Sequence, residues 1–129
     1  MPMHPPERGY IETLSEDRDA AILCDKLGYD EAFFGEHATD AYERITSSLL
    51  FIASLANVTK RIQLGCGTIN LPNGHPAAFA SQIAMLDHML NGRLIMGISA
   101  GALLSDAELF GTLENDRQKM FVECIDQIL

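Results

Sequence analysis

Basic residues are scarce. Nine Lys and Arg stand against eighteen Asp and Glu, a net charge of −9 that repels phosphate backbones and anionic lipid surfaces, so neither a nucleic-acid nor a membrane-surface role is expected. Long apolar runs are missing too. No stretch approaches the ~20 consecutive apolar residues of a membrane span, and the opening Met1-Pro2-Met3-His4-Pro5-Pro6 has neither the basic nor the apolar segment of a secretion signal. A cytoplasmic location is expected. Cysteine is limited to Cys24, Cys66 and Cys124, odd in number, far apart and each in an apolar stretch, which reads as small buried hydrophobes. The histidines, His4, His37, His75 and His88, have no metal-ligand spacing with one another or with the cysteines. No metal site is expected. Linkers, charge blocks and low-complexity segments are also lacking, so residues 1–129 read as one domain, as 47% hydrophobic and 21% charged composition allows.

What the chain does contain is a period. Three short apolar runs, Glu31–Gly35, Ile62–Gly67 and Leu94–Ser99, recur about thirty residues apart, the size of a β-α unit. Leu27-Gly28-Tyr29-Asp30 and Leu90-Asn91-Gly92-Arg93 carry the Gly or Asn with which a helix ends before a strand. Helices are predicted over about Ser15–Leu27, Ser47–Asn57, Ala77–Leu90 and Asn115–Leu129. In the third, Phe79, Ile83, Leu86 and Leu90 form one apolar stripe. Thr13 with Glu16, and Ser105 with Glu108, match the capping box at a helix start. Met85, Met89 and Met96 read as core filler. Alternating helices and apolar strands predict a parallel sheet covered by helices. Three strands leave two open edges, so the chain is expected either to belong to a larger fold or to be completed by another chain. Met1 to Pro6 reads as the exit of a first strand.

In parallel β/α proteins ligands bind beyond the carboxyl ends of the strands. The residues there are Met3-His4-Pro5-Pro6, Gly35-Glu36-His37, Gly67-Thr68-Ile69-Asn70 and Ser99-Ala100-Gly101. Glycines let a flat ligand approach the backbone, and small hydroxyls meet its polar edges. His37 suits proton transfer near neutral pH, though Glu36-His37 also reads as a strand-end pair satisfied by backbone. His75-Pro76 reads as a turn that opens a helix, and His88 as a solvated residue at a helix end. Gly65-Cys66-Gly67 begins like a dinucleotide fingerprint, but Asn70 replaces the third glycine, which rejects that reading.

The ordered set Arg61–Pro72 (RIQLGCGTINLP), His75-Pro76, Leu86–Arg93 (LDHMLNGR), Gly97–Gly101 (GISAG) and Leu109-Phe110-Gly111, with His4-Pro5-Pro6-Glu7 and Gly35-Glu36-His37, resembles the bacterial luciferase-like flavin monooxygenases. Within that superfamily it is most similar to the alkanal and limonene monooxygenase branch. The resemblance implies a (β/α)8 TIM barrel, of which this chain makes an amino-terminal part of about three to four β-α units. It implies non-covalent FMN, reduced by a separate flavin reductase, which reacts with O2 to a C4a-peroxyflavin and oxygenates a small aldehyde, ketone or alkene. It further implies His37 as the catalytic histidine, and Gly67, Thr68, Asn70, Ser99 and Ala100 as cofactor-binding, with a non-prolyl cis peptide at Gly67-Thr68.

A homo-oligomer, as a dimer, is also implied. Bacterial luciferase itself has a reactive cysteine and an arginine where this chain has Ser99 and Ala100, which argues against light emission. The family's phosphate-binding residues lie largely in the second half of the barrel, beyond the four predicted helices. Two other readings stand beside this one: a deazaflavin-dependent hydride-transfer oxidoreductase on the same barrel, and a non-catalytic half-barrel that assembles through its open edges.

Overall fold

The structure, a computed structural model, describes residues 3–129. Its elements run in order as α1 (Tyr10–Leu27), β1 (Glu31–Phe34), α2 (Ser48–Leu55), β2 (Gln63–Cys66), β3 (Ile69–Asn70), a 3-10 turn (Leu71–Asn73), α3 (Pro76–Leu90), β4 (Leu94–Ile95), β5 (Ile98–Ser99), α4 (Leu104–Leu109) and α5 (Arg117–Ile128). All strand pairing is parallel, as the alternating pattern requires. Strands β1, β2 and β4 form one sheet in that order, with β2 pairing from Glu31↔Gln63 to Phe34↔Cys66 on one side and from Leu64↔Leu94 on the other. Strands β3 and β5 form a second, two-stranded piece.

The expected single strand Leu94–Ser99 is therefore split at Met96-Gly97, and a short strand follows β2 that the pattern did not separate. The cause is a close crossing. A Cβ on Gly97 would overlap the Cys66 carbonyl oxygen, so the two chains pass where only hydrogen fits. Beyond the crossing, the Ile69 amide donates to the Gly97 carbonyl at 2.9 Å and pairing resumes. The Gly67-Thr68 peptide between β2 and β3 is cis.

The predicted helix starts divide. Ser47 caps α2 by accepting from the Leu50 amide, and the His75 ring caps α3 by accepting from the Ala77 amide, with Pro76 at the first helical position. The two capping boxes do not form. Helix α1 begins at Tyr10 rather than Ser15, and Thr13 lies buried inside it, its hydroxyl donating back to the Gly9 and Tyr10 carbonyls. Ser105 lies inside α4, and its hydroxyl meets that of Thr39 instead of a backbone amide. Both helix exits are left-handed as expected, at Gly28 (φ +86°) and Asn91 (φ +54°).

Helix α2 is the centre of the core. Ile52 and Leu55 are fully buried against Ile62, Leu64, Ile69, Leu71 and Leu90, and the Phe34 and Phe51 rings meet at 4.9 Å. The α3 stripe Phe79, Ile83, Leu86 and Leu90 joins this cluster. Met85 and Met89 do not: they are 64% and 43% exposed, because each sits one position, about 100° of helix, from a stripe residue. Met96 is half-buried at the strand break. Cys66 and Cys124 are buried and Cys24 is partly so, all as free thiols. The face of β1 turned from the helices is open, with Phe33 47% exposed over Gly65.

The amino ends of the strands are tied by polar groups. Asp25 accepts from the amides of Lys60, Arg61 and Ile62, and those bonds, led by Ile62, hold its carboxyl below the ordinary range. Arg93 donates to the carbonyls of Leu90, Thr59 and Ile62 and to the Thr59 hydroxyl. Of the segment Met1 to Pro6, Met1 and Pro2 lie outside the described residues. His4 is buried, with Nε2 2.8 Å from Asp17 Oδ1, so it serves the packing of α1. Among the described residues no helix is long and apolar enough to cross a membrane, and no group of His, Cys, Asp and Glu is placed to hold a metal.

Candidate active site at the strand ends

Where β1 ends, Glu36 and His37 turn in different directions. Glu36 Oε2 accepts from both the amide and the hydroxyl of Ser48 at 2.8 Å, so this carboxylate anchors the first turn of α2. His37 turns toward α4, and its Nδ1 lies 3.0 Å from Asp106 Oδ2. Asp106 is buried, and its other oxygen accepts from the Ala38 amide, the Thr39 amide and the Thr39 hydroxyl at 3.1, 2.9 and 2.7 Å. Burial alone would push this carboxyl up. The bonds from Thr39 and His37 outweigh it and hold the carboxyl below the usual range. An ionised carboxylate only accepts, so the hydrogen of a neutral His37 sits on Nδ1 and Nε2 is left for other partners.

His37 lines a cleft of about 350 Å³ together with Gly35, Glu36, Glu43, Gly67, Thr68, Asn70, Ser99 and Ala102. Opposite His37, the Thr68 hydroxyl donates to Ser99 Oγ and Ser99 donates to Asn70 Oδ1, each at 2.8 Å. Ser99 also accepts from the Gly101 amide, so its one donor and two acceptor sites are all in use. Ser99 thus joins the ends of β3 and β5 and fixes the Thr68 hydroxyl. Ala100 is buried behind this rim, and its carbonyl accepts from Arg117 Nη2 at 2.8 Å. Cys66, directly before the turn, is pushed up to about 11 by burial, with Glu36 adding to the effect; it remains a neutral thiol.

Five of the six sequence-predicted site residues, His37, Gly67, Thr68, Asn70 and Ser99, therefore surround one cleft, and Ala100 lies in the layer beneath. His75 and His88 belong to the ends of α3, as expected of them. The sequence reading missed Asp106, Glu43 and Arg117. Asp106 is 69 residues from His37, and the cue used near it, Ser105 with Glu108, pointed to a cap that does not exist. Arg117 carries a second cue: its Nε is buried beside the strand ends without a hydrogen-bond partner.

A larger groove, about 440 Å³, runs along the outside of α1 and α2 between Tyr10, Leu14, Arg44, Leu50 and Phe51. It contains none of the strand-end residues.

The sequence model of the luciferase-like monooxygenases matches residues 1–129. The 4-hydroxyprotoasukamycin monooxygenase of Streptomyces nodosus subsp. asukaensis is 37% identical over 127 residues, covering 98% of this chain and 34% of that protein. Limonene 1,2-monooxygenase of Rhodococcus erythropolis is 33% identical over 127 residues, covering 98% of this chain and 33% of that protein. Among solved structures, the oxygenating constituent of 3,6-diketocamphane monooxygenase from Pseudomonas putida, a type II Baeyer-Villiger monooxygenase in complex with FMN, superposes with a TM-score of 0.92 at 30% identity. It covers 98% of this chain and 36% of that one. The chain thus spans about a third of the length of the relatives it matches. Its parallel strands and packed helices are a part of the TIM-barrel fold of those enzymes. With the match extending over every residue and the strand-end motifs gathered round one cleft, the chain belongs to the luciferase-like monooxygenase family.

Proposed function

We propose that residues 1–129 form the amino-terminal β-α units of a (β/α)8 barrel that binds FMN at its strand ends, and that the assembled enzyme is a flavin-dependent monooxygenase of small organic substrates. A separate reductase supplies the reduced flavin, a reading supported by the P. putida relative, which is the oxygenating constituent of its system. The observation that carries the proposal is the pairing of His37 with Asp106 at the lip of the cleft that Gly67, Thr68 and Ser99 close.

The cleft residues fit a flat ring with polar edges. Gly35 and Gly67 bring backbone rather than side chains to the wall, and Thr68, Asn70 and Ser99 form a fixed polar rim. The cleft is less suited to a phosphate, because Glu36 and Glu43 line it. Beside the strand ends, the Arg117 guanidinium, with its buried, unbonded Nε, is suited to an anion. Gly67 and Thr68 would lie against the ring, Asn70 and Ser99 would hold Thr68 in place, and Ala100 would support them through Arg117.

When bound, reduced flavin supplies the electron pair that reduces one atom of O2 to water as the other enters the substrate. His37 then moves the proton: Asp106 fixes Nδ1–H, and Nε2 exchanges a proton with an oxygen held in the cleft. Replacement by Gln tests this. His37→Gln keeps a donor for Asp106 but cannot titrate, so FMN affinity stays at the parent value and stability stays near it, while turnover falls roughly 10²-fold or more. Oxygenation at the parent rate, or unfolding of the variant, would make His37 a structural strand-end residue.

A further inference from the structure

His37 stands between two carboxylates. On the side away from Asp106, Nε2 lies 3.5 Å from Glu43 Oε2, a charge contact rather than an aligned hydrogen bond. That oxygen is buried and receives no hydrogen bond. A buried carboxylate oxygen without a donor is unfavourable, and the group placed to supply one is a protonated Nε2. The other neighbours are already committed. Glu36 is satisfied by Ser48, and Asp106 by Thr39, Ala38 and Nδ1. Arg44, adjacent in sequence, turns away to the Pro6 carbonyl and lies over the Tyr10 ring. Among the described residues no Lys or Arg forms an ion pair with Glu36, Glu43 or Asp106.

We propose that Glu43 is a positioning residue that holds the proton on His37 Nε2, so that His37 serves the cleft as an imidazolium clamped between Asp106 and Glu43. The proposal rests on the proposed role of His37 and gives it a direction. In the step, the Nε2–H bond breaks, its electron pair stays on nitrogen, and an O–H bond forms on the oxygen bound in the cleft. His37 is left neutral with Nδ1–H on Asp106. Glu43 stays ionised throughout and draws the next proton from water to Nε2. The titratable groups around His37 are Asp106 from α4 and Glu43 from the loop after β1, with Glu36 from the end of β1 lining the same cleft but turned to Ser48.

Glu43→Gln preserves size and removes the charge. In the full chain labelled with 15N-histidine, without flavin or substrate, the pH at which the His37 ring loses its proton should fall by about one unit, a tenfold weaker hold on the proton. Glu43→Asp, which keeps the charge, should retain most of the parent behaviour and covers the case in which Glu43→Gln does not fold. In the holoenzyme the limb of the kcat–pH profile should move to lower pH with the ring titration, while KM and FMN affinity stay unchanged. A ring titration that is unmoved or raised in Glu43→Gln overturns the proposal, as does one lowered equally by Glu43→Asp. A ring titration that falls while the kcat–pH profile stays fixed supports the Glu43–His37 coupling and overturns the catalytic reading of His37.

Discussion

Replacing Asp106 by Asn changes one atom and tests whether the site depends on a buried acceptor. The Asn carbonyl can keep the three donors that now reach Oδ1, from Ala38 and Thr39. Its NH2 then occupies the place of Oδ2 and meets the His37 Nδ1–H, donor against donor at a spacing of 3.0 Å. The flipped amide is worse, since it opposes three donors instead of one. His37 must therefore give up its Nδ1 hydrogen and keep the one on Nε2, which faces Glu43. The change removes a charge-assisted bond of about 1.5–3 kcal/mol and returns an ordinary one of about 1 kcal/mol, while the Thr39 contacts lose their ionic partner. A net loss near 2 kcal/mol lowers the urea midpoint by about 1 M.

The pH dependence carries the sign. Because the folded state holds this carboxyl below its ordinary value, the stability it contributes is complete above the unfolded value of ~3.9 and is lost as pH falls through the lower folded value. Parent and Asp106→Asn curves should lie apart from neutral pH down to about 4 and converge in stronger acid. Equal midpoints at pH 7, or a gap that persists unchanged in acid, would refute the account of Asp106 as an ionised acceptor.

Two further substitutions probe the frame. Gly97→Ala places a Cβ on the Cys66 carbonyl, which is backbone and cannot swing aside, so we expect a loss of about 1–3 kcal/mol. Hydrogen exchange at the Ile69 amide should speed up first, and an unaltered urea midpoint would contradict the crossing. Arg93→Lys gives up the planar fork that reaches Thr59, Ile62 and Leu90 together, leaving buried carbonyls short of donors at a cost of about 2 kcal/mol. Because Arg93 sits at the amino ends of the strands, FMN affinity should hold, and a weakened affinity would count against this separation of fold and site.

Much of the molecule follows from local sequence. The 3.6-residue stripe of α3, the left-handed exits at Gly28 and Asn91, the caps at Ser47 and His75 and the β-α period depend on neighbours a few residues away. The strand-end glycines and His37 are legible for the same reason: where strands end fixes which residues reach the ligand side. Errors arose where a local cue met a different partner, near in one case and distant in the other. Thr13 looks like a cap until Gly9 and Tyr10 take its hydroxyl, and Ser105 until Thr39 does.

The strand break at Met96-Gly97 exists because Cys66 passes there, and nothing around Gly97 records that approach. Met85 and Met89 carry an apolar side chain in either setting, and only their angle on α3 leaves them exposed. The site itself divides the same way. Sequence supplied the imidazole, but hydrogen bonding and charge act through space, so only the folded chain could bring Asp106 to Nδ1 and leave Glu43 facing Nε2.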